Sequence, residues 1–185
     1  MAATKRILVP IAEGFEEIET ITIVDVLRRA GLEVVTAGLK RGPLVGSRRV
    51  PIVPDIELEL VKDEEFDMII LPGGQPGTDH LRKHPAVLEI LKKMNLNKKW
   101  IGAICAAPLV LRDAGLTQGL KLTSHPSVQR DLHDADYDEA RVVMDGRVIT
   151  SRGPGTAMEF SLKIVEELCG PEKALELAQA MLAKI

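Results

Sequence analysis

Cysteine, aromatic residues and an excess of either charge are all scarce in this sequence. Its two cysteines, Cys105 and Cys169, are too few for a disulfide framework. With one Trp, one Tyr and three Phe among 185 residues, the core must be built from Ile, Leu, Val and Ala. That composition suits sheets covered by helices. The formal net charge is only -3, with no basic stripe or basic-aromatic alternation, so nucleic acid is not indicated as a partner. No apolar run approaches the ~18 residues of a membrane span. The start, MAATKRILVPIAEG, lacks the apolar segment and cleavage site of a secretory signal, and together with the few cysteines this reads as a cytoplasmic protein. No His/Cys spacing suggests zinc, and no G-x-G-x-x-G phosphate fingerprint occurs, so neither metal nor cofactor is expected.

What is present is an alternation of short apolar runs and helical repeats. Runs at 7–12, 32–39, 66–71 and 100–104 read as buried strands. Helices are expected over 16–30, 85–95, 107–113, 156–168 and 172–183. In the first helix the apolar repeat runs Ile18, Ile21, Val24, Leu27, and Gly31 sits where it would stop. The stretch 43–54 carries prolines that exclude a central strand, so it reads as a hairpin or edge insertion. Asp145-Gly146 signals a second hairpin over 141–150, and 120–123 a further short strand. The pattern argues for an α/β fold with a mostly parallel sheet and helices on both faces. The length fits a single domain over 1–185. Ligands of such sheets bind outside the carboxyl ends of the strands, which directs attention to the ends of 66–71 and 100–104.

Cys105 ends one of those strands, in W-I-G-A-I-C-A-A-P. A tight strand-to-helix turn would present its side chain at the sheet edge, as in a nucleophile elbow. A helix N-terminus there would favour thiolate over thiol. The competing reading is a buried cysteine acting as a small hydrophobe. Cys169, before Gly170, reads as structural. Gly73 and Gly74 follow the other strand and could aim N–H groups at an oxyanion, or simply form a loop. Glu13, Glu16, Glu17 and Glu19 cluster at a helix start, where acids complement the dipole; Glu19 could instead turn inward over the sheet. His125, in L-T-S-H-P, is a candidate base or orienting group, or a surface histidine. Thr156 and Glu159 fit a capping box.

In order along the chain, E-G-F-E-E-I-E-T, D-V-L-R-R-A-G, L-P-G-G, A-I-C-A-A-P, T-S-H-P and T-S-R-G-P-G-T-A-M-E-F resemble the Parkinsonism-associated protein deglycase family of the ThiJ/PfpI superfamily. The resemblance implies a flavodoxin-like sandwich and a homodimer. It implies Cys105 as nucleophile and oxidation-sensitive thiol, with Glu19 beside it as a protonated acid. It implies Gly73, Gly74 and the Ala106 N–H lining an oxyanion pocket and His125 near it. Arg28, Arg48 and Pro154 are implied at the dimer interface or beside the site. The implied activity is a glyoxalase or deglycase reaction on methylglyoxal, glyoxal and early glycation adducts on proteins. A redox-responsive chaperone or stress sensor is the alternative, and a cysteine peptidase a weaker one. Two further cysteines of animal members are replaced by Gly46 and Val53, which removes any redox role through them. Related peptidases carry His directly after the nucleophile; Ala106 stands there, removing that base.

Overall fold

In the computed structural model, which describes residues 4–184, the apolar runs form one seven-stranded sheet. In chain order the strands are β1 (Arg6–Ile11), β2 (Glu33–Gly38), β3 (Leu44–Val45), β4 (Pro51–Ile52), β5 (Ile56–Glu57), β6 (Met68–Leu71), β7 (Trp100–Ile104), β8 (Lys121–Leu122), β9 (Asp136–Tyr137), β10 (Val142–Asp145) and β11 (Val148–Ser151). The helices are α1 (Glu17–Arg29), α2 (Leu58–Val61), α3 (Gly77–Lys83), α4 (Pro85–Leu96), α5 (Pro108–Asp113), α6 (Ala157–Cys169) and α7 (Pro171–Ala180). The sheet order is β10-β11-β7-β6-β1-β2-β5, and only the β10–β11 hairpin is antiparallel. Among the described residues, no helix is long and apolar enough to cross a membrane.

The strands read as unbroken apolar runs because both faces of the sheet are covered. Ile7, Val9 and Ile11 point into the core shared with α1, α6 and α7, while Leu8 points into the core built on α4 and α5. Met68 and Ile70 join the first core and Ile69 and Leu71 the second, following the two-residue period of a strand. Gly102 in β7 makes room for Phe160 of α6: a Cβ there would lie 3.1 Å from the ring.

Several expectations require correction. The buried face of α1 is Thr20, Ile23, Val24, Val26 and Leu27, whereas Ile18 and Ile21 face outward. A spacing of three drifts around a helix of 3.6 residues per turn, so the stripe that begins at Ile18 does not stay on one face. Thr156 does not cap α6. Its hydroxyl closes the preceding loop instead, donating to the Gly153 carbonyl at 2.9 Å and accepting from the Gly153 N–H at 3.1 Å. Glu159 pairs with Arg141 at 2.8 Å. Helix α3 and the small pieces β5, α2 and β9 have no counterpart in the sequence reading, whereas β8 falls inside the short strand expected at 120–123. The prolines of 43–54 act as expected: Pro43 and Pro54 flank the β3–β4 hairpin, Pro51 opens its second strand, and the following β5 is the sheet edge.

Candidate active site

Three turns at the carboxyl ends of β1, β6 and β7 converge. After β1, the Glu16 side chain caps α1 by accepting from the Glu19 N–H at 2.7 Å. This fixes the first turn of α1 and sends Glu19 inward, where it is fully buried. After β6, the Gly73 N–H donates to Glu19 Oε2 at 2.8 Å, and the Gly73 carbonyl accepts from the Glu16 N–H at 3.0 Å. Gly74 has φ +93°, and a Cβ on it would lie only 2.5 Å from the Phe15 carbonyl carbon. Only glycine fits this approach. After β7, Cys105 stands in the left-handed region at φ +63°, unusual for a non-glycine residue and consistent with a strained elbow. Its N–H donates to the Ser151 carbonyl at 2.9 Å and its carbonyl accepts from the His125 N–H at 2.8 Å, so both neighbouring segments hold it in place.

Cys105 and Glu19 share one small space. A Cβ placed on Gly73 would lie 2.7 Å from Cys105 Cβ and 2.9 Å from Glu19 Oε2. Glu19 Oε1 has no aligned hydrogen-bond partner. The Cys105 thiol is nevertheless close enough that each group shifts the other's titration. Burial, helped by the Glu16 charge, pushes the Glu19 carboxyl up to about 7, while the Gly73 amide and the Cys105 thiol pull it down. Burial first, then the Glu19 charge and contact, pushes the Cys105 thiol up to about 12; the N–H groups of Ala106 and Gly74 pull it down. This reverses the expectation that a helix N-terminus favours thiolate. Helix α5 starts only at Pro108 and is one and a half turns long, so its dipole does not outweigh desolvation and a neighbouring carboxylate.

The other expected site residues fall into place unevenly. The N–H groups of Gly74 and Ala106 act on the sulfur. That of Gly73 does not, because Glu19 already occupies it. His125 is tied to Cys105 through its backbone; its side chain is exposed, and Nδ1 lies 2.7 Å from Ser127 Oγ and caps the 3-10 turn 126–131. Pro154 heads a 3-10 turn beside Gly153, where a Cβ would meet the His125 ring at 3.6 Å. Arg28 lies in the last turn of α1, at the opposite end from Glu19, and pairs with Asp55 at 2.6 Å and with the Val34 carbonyl at 2.9 Å. Arg48 presents an exposed side chain from the β3–β4 turn. Among the described residues, no group of three or more His, Cys, Asp or Glu side chains is arranged to hold a metal ion.

Sequence reasoning passed over Glu17. Its carboxylate accepts from the N–H groups of Arg48 at 2.6 Å and Val50 at 3.2 Å, and from Ser47 Oγ at 3.2 Å. Burial works to raise its pKa, but these donors outweigh it and hold the carboxyl below its ordinary range. Gly46 makes room for this acid: a Cβ there would lie about on top of the Glu17 carboxyl. Nothing in the run Glu13–Glu19 distinguishes Glu17 from an exposed helix-start acid, since its partners are some thirty residues away.

The chain is similar to known proteins over nearly its whole length. The DJ-1/PfpI family matches residues 5–167. Protein DJ-1 homolog A of Arabidopsis thaliana is 48% identical over 97% of this chain, which spans only 46% of that relative's length. Glutathione-independent glyoxalase DJR-1.2 of Caenorhabditis elegans is 45% identical over 98% of both chains. The crystal structure of Drosophila melanogaster DJ-1beta superposes with a TM-score of 0.96 at 45% identity, covering 99% of this chain and 100% of that one. The mostly parallel sheet wrapped by helices is thus the flavodoxin-like fold of these proteins, and the chain belongs to the DJ-1/PfpI family.

Proposed function

We propose that the protein is a cofactor-independent glyoxalase that converts methylglyoxal or glyoxal to the corresponding 2-hydroxy acid, with Cys105 as nucleophile. The observation that carries this is the buried Glu19 carboxyl, titrating at about 7, pressed against the Cys105 thiol. A group with a pKa near neutrality serves as both acid and base. The likeness to a relative named a glutathione-independent glyoxalase supports the same reading.

The ionised Glu19 takes the thiol proton as sulfur bonds to the aldehyde carbon. The oxygen that becomes negative faces the N–H groups of Gly74 and Ala106 and then takes the proton back from Glu19, giving a hemithioacetal. Glu19 next removes the hydrogen from that carbon, and the resulting enediol is reprotonated on the neighbouring carbon, leaving a thioester of the hydroxy acid. Water cleaves the thioester, releases the acid and restores the thiol. The sum is dicarbonyl plus water giving hydroxy acid, with no external oxidant or reductant. The role of Gly73 in this scheme is to hold Glu19 rather than to bind the oxyanion. Release of early glycation adducts from Cys, Lys and Arg side chains begins with the same attack by sulfur, on a larger substrate.

Steady-state lactate production from methylglyoxal, wild type against Cys105→Ser, tests the reading. Turnover by wild type and none above background by Cys105→Ser is expected. Equal lactate from both would overturn it.

A further inference from the structure

A groove of about 400 Å³ opens at the carboxyl ends of β1 and β2, bordered by α3 and the start of α4, and none of Glu19, Gly73 or Cys105 lines it. We infer that this groove is a second ligand site, one that binds a small organic carboxylate with an apolar body. Its volume falls within the range of small-molecule sites. Its floor is apolar, formed by Ala12, Leu39, Leu44 and the Pro85 ring.

The charge around that floor has one sign to spare. Glu13 is the single acid among the lining residues, and Lys40 already answers it at 2.9 Å. Lys83, His80 and His84 also line the groove. His84 is half-buried, and its Nδ1 has no hydrogen-bond partner among the described residues. Helix α4 begins at this wall with Pro85 and carries no acid in its first turn, so the positive end of its dipole is turned to the groove. A carboxylate placed near Lys83 and His80, with its apolar body on Leu39 and Leu44, meets each of these features. A neutral ligand leaves Lys83 unanswered, and a bare phosphate leaves the apolar floor wet.

The test uses the full-length protein and 3-phenylpropionate as probe, followed by amide and imidazole NMR shifts. Saturable shifts are expected at Ala12, Leu39, Lys40, Leu44 and His84. The neutral analogue 3-phenylpropanol and inorganic phosphate should each bind about tenfold more weakly or worse. Lys83→Glu, a change at an exposed side chain, should weaken the probe about tenfold while leaving the rest of the spectrum in place. Cys105→Ser should bind the probe as wild type does, which separates this site from the proposed reaction. The inference is overturned by an absence of shifts at about 10 mM probe, where binding would fall outside the range of a built site. Shifts confined to the surroundings of Cys105, equal binding of 3-phenylpropanol, equal binding of phosphate, or indifference to Lys83→Glu would each overturn it as well.

Discussion

At the scale of single residues, the proposed chemistry rests on one proton shared between two acids. Glu19 releases a proton at about 7 and Cys105 only at about 12, so across neutral pH the pair carries at most one negative charge. Sulfur attack then needs the ionised carboxyl as base, and kcat/KM for methylglyoxal should rise as pH passes from about 6 to about 8. Glu19→Gln removes the base. It should lower turnover at least ~100-fold and abolish that inflection. The same residue makes a stability prediction of the opposite sign. A carboxyl whose pKa is raised on folding binds more protons folded than unfolded between its ordinary value of 4.5 and about 7, so stability falls as pH rises through that window. Glu19→Gln escapes this penalty. Thermal unfolding should find the variant more stable than wild type at pH 8, by up to ~3 kcal/mol, and near parity at pH 4. A variant less stable than wild type at pH 8 would mean that the acid is not held against its charge. Gly73→Ala should fail differently. Its methyl would collide with Cys105 Cβ and Glu19 Oε2 together, so it should cost both turnover and, as overpacking, ~1–3 kcal/mol.

At the scale of elements, Glu17 joins the first turn of α1 to the β3–β4 hairpin. A buried carboxylate accepting from two amides and a hydroxyl leaves those donors unpaired when removed. Glu17→Ala should therefore cost ~2–3 kcal/mol and speed hydrogen exchange at the Arg48 and Val50 amides about tenfold or more, with the central strands unaffected. Unchanged exchange at those two amides would show that the turn holds itself. This link also marks where sequence reasoning stops. The strands ending at Ile11, Leu71 and Ile104 are legible because double burial makes them apolar throughout, and the elbow at Cys105 because small residues flank it. Gly31 is legible as the stop of α1, where its φ of +83° lets the Leu32 N–H return to the Leu27 carbonyl at 3.2 Å. Three kinds of feature are not legible. Short pieces such as α3 carry too few turns to show a period. Contacts over long sequence separation, such as Glu17 to Arg48, leave no local spacing. The titration of Cys105 depends on burial and on a carboxyl eighty-six positions away, neither of which a helix-dipole argument contains.

At the scale of the whole molecule, the apolar side chains that α1 does not bury are the outstanding feature. Ile18 is 59% exposed and Ile21 49%, one helical turn apart, and Val50 and Val53 on the neighbouring hairpin are 50% and 73% exposed. Glu17 holds the hairpin against the first turn of α1 through the Val50 amide, so these four residues lie on adjoining elements. Clustered apolar exposure of this kind marks an association surface, and a patch that pairs with its own copy about a two-fold axis gives a closed dimer. Arg48 is two residues from Val50 in the same turn, so such a pairing would carry its guanidinium onto the partner's surface. Light scattering at micromolar concentration should therefore give twice the chain mass of 20.2 kDa. Ile21→Lys places a charge in the centre of the patch without touching the core or the proposed catalytic pair, and should shift the protein to the chain mass while its circular dichroism is retained. Two readings of activity then separate. If Arg48 completes the neighbouring site, both Ile21→Lys and Arg48→Ala should raise KM for methylglyoxal, and the two changes combined should cost little more than either alone. If the dimer serves stability only, Ile21→Lys should lower the unfolding midpoint and leave KM unchanged. A wild-type mass of one chain would refute the dimer itself and leave the site to be completed within a single copy.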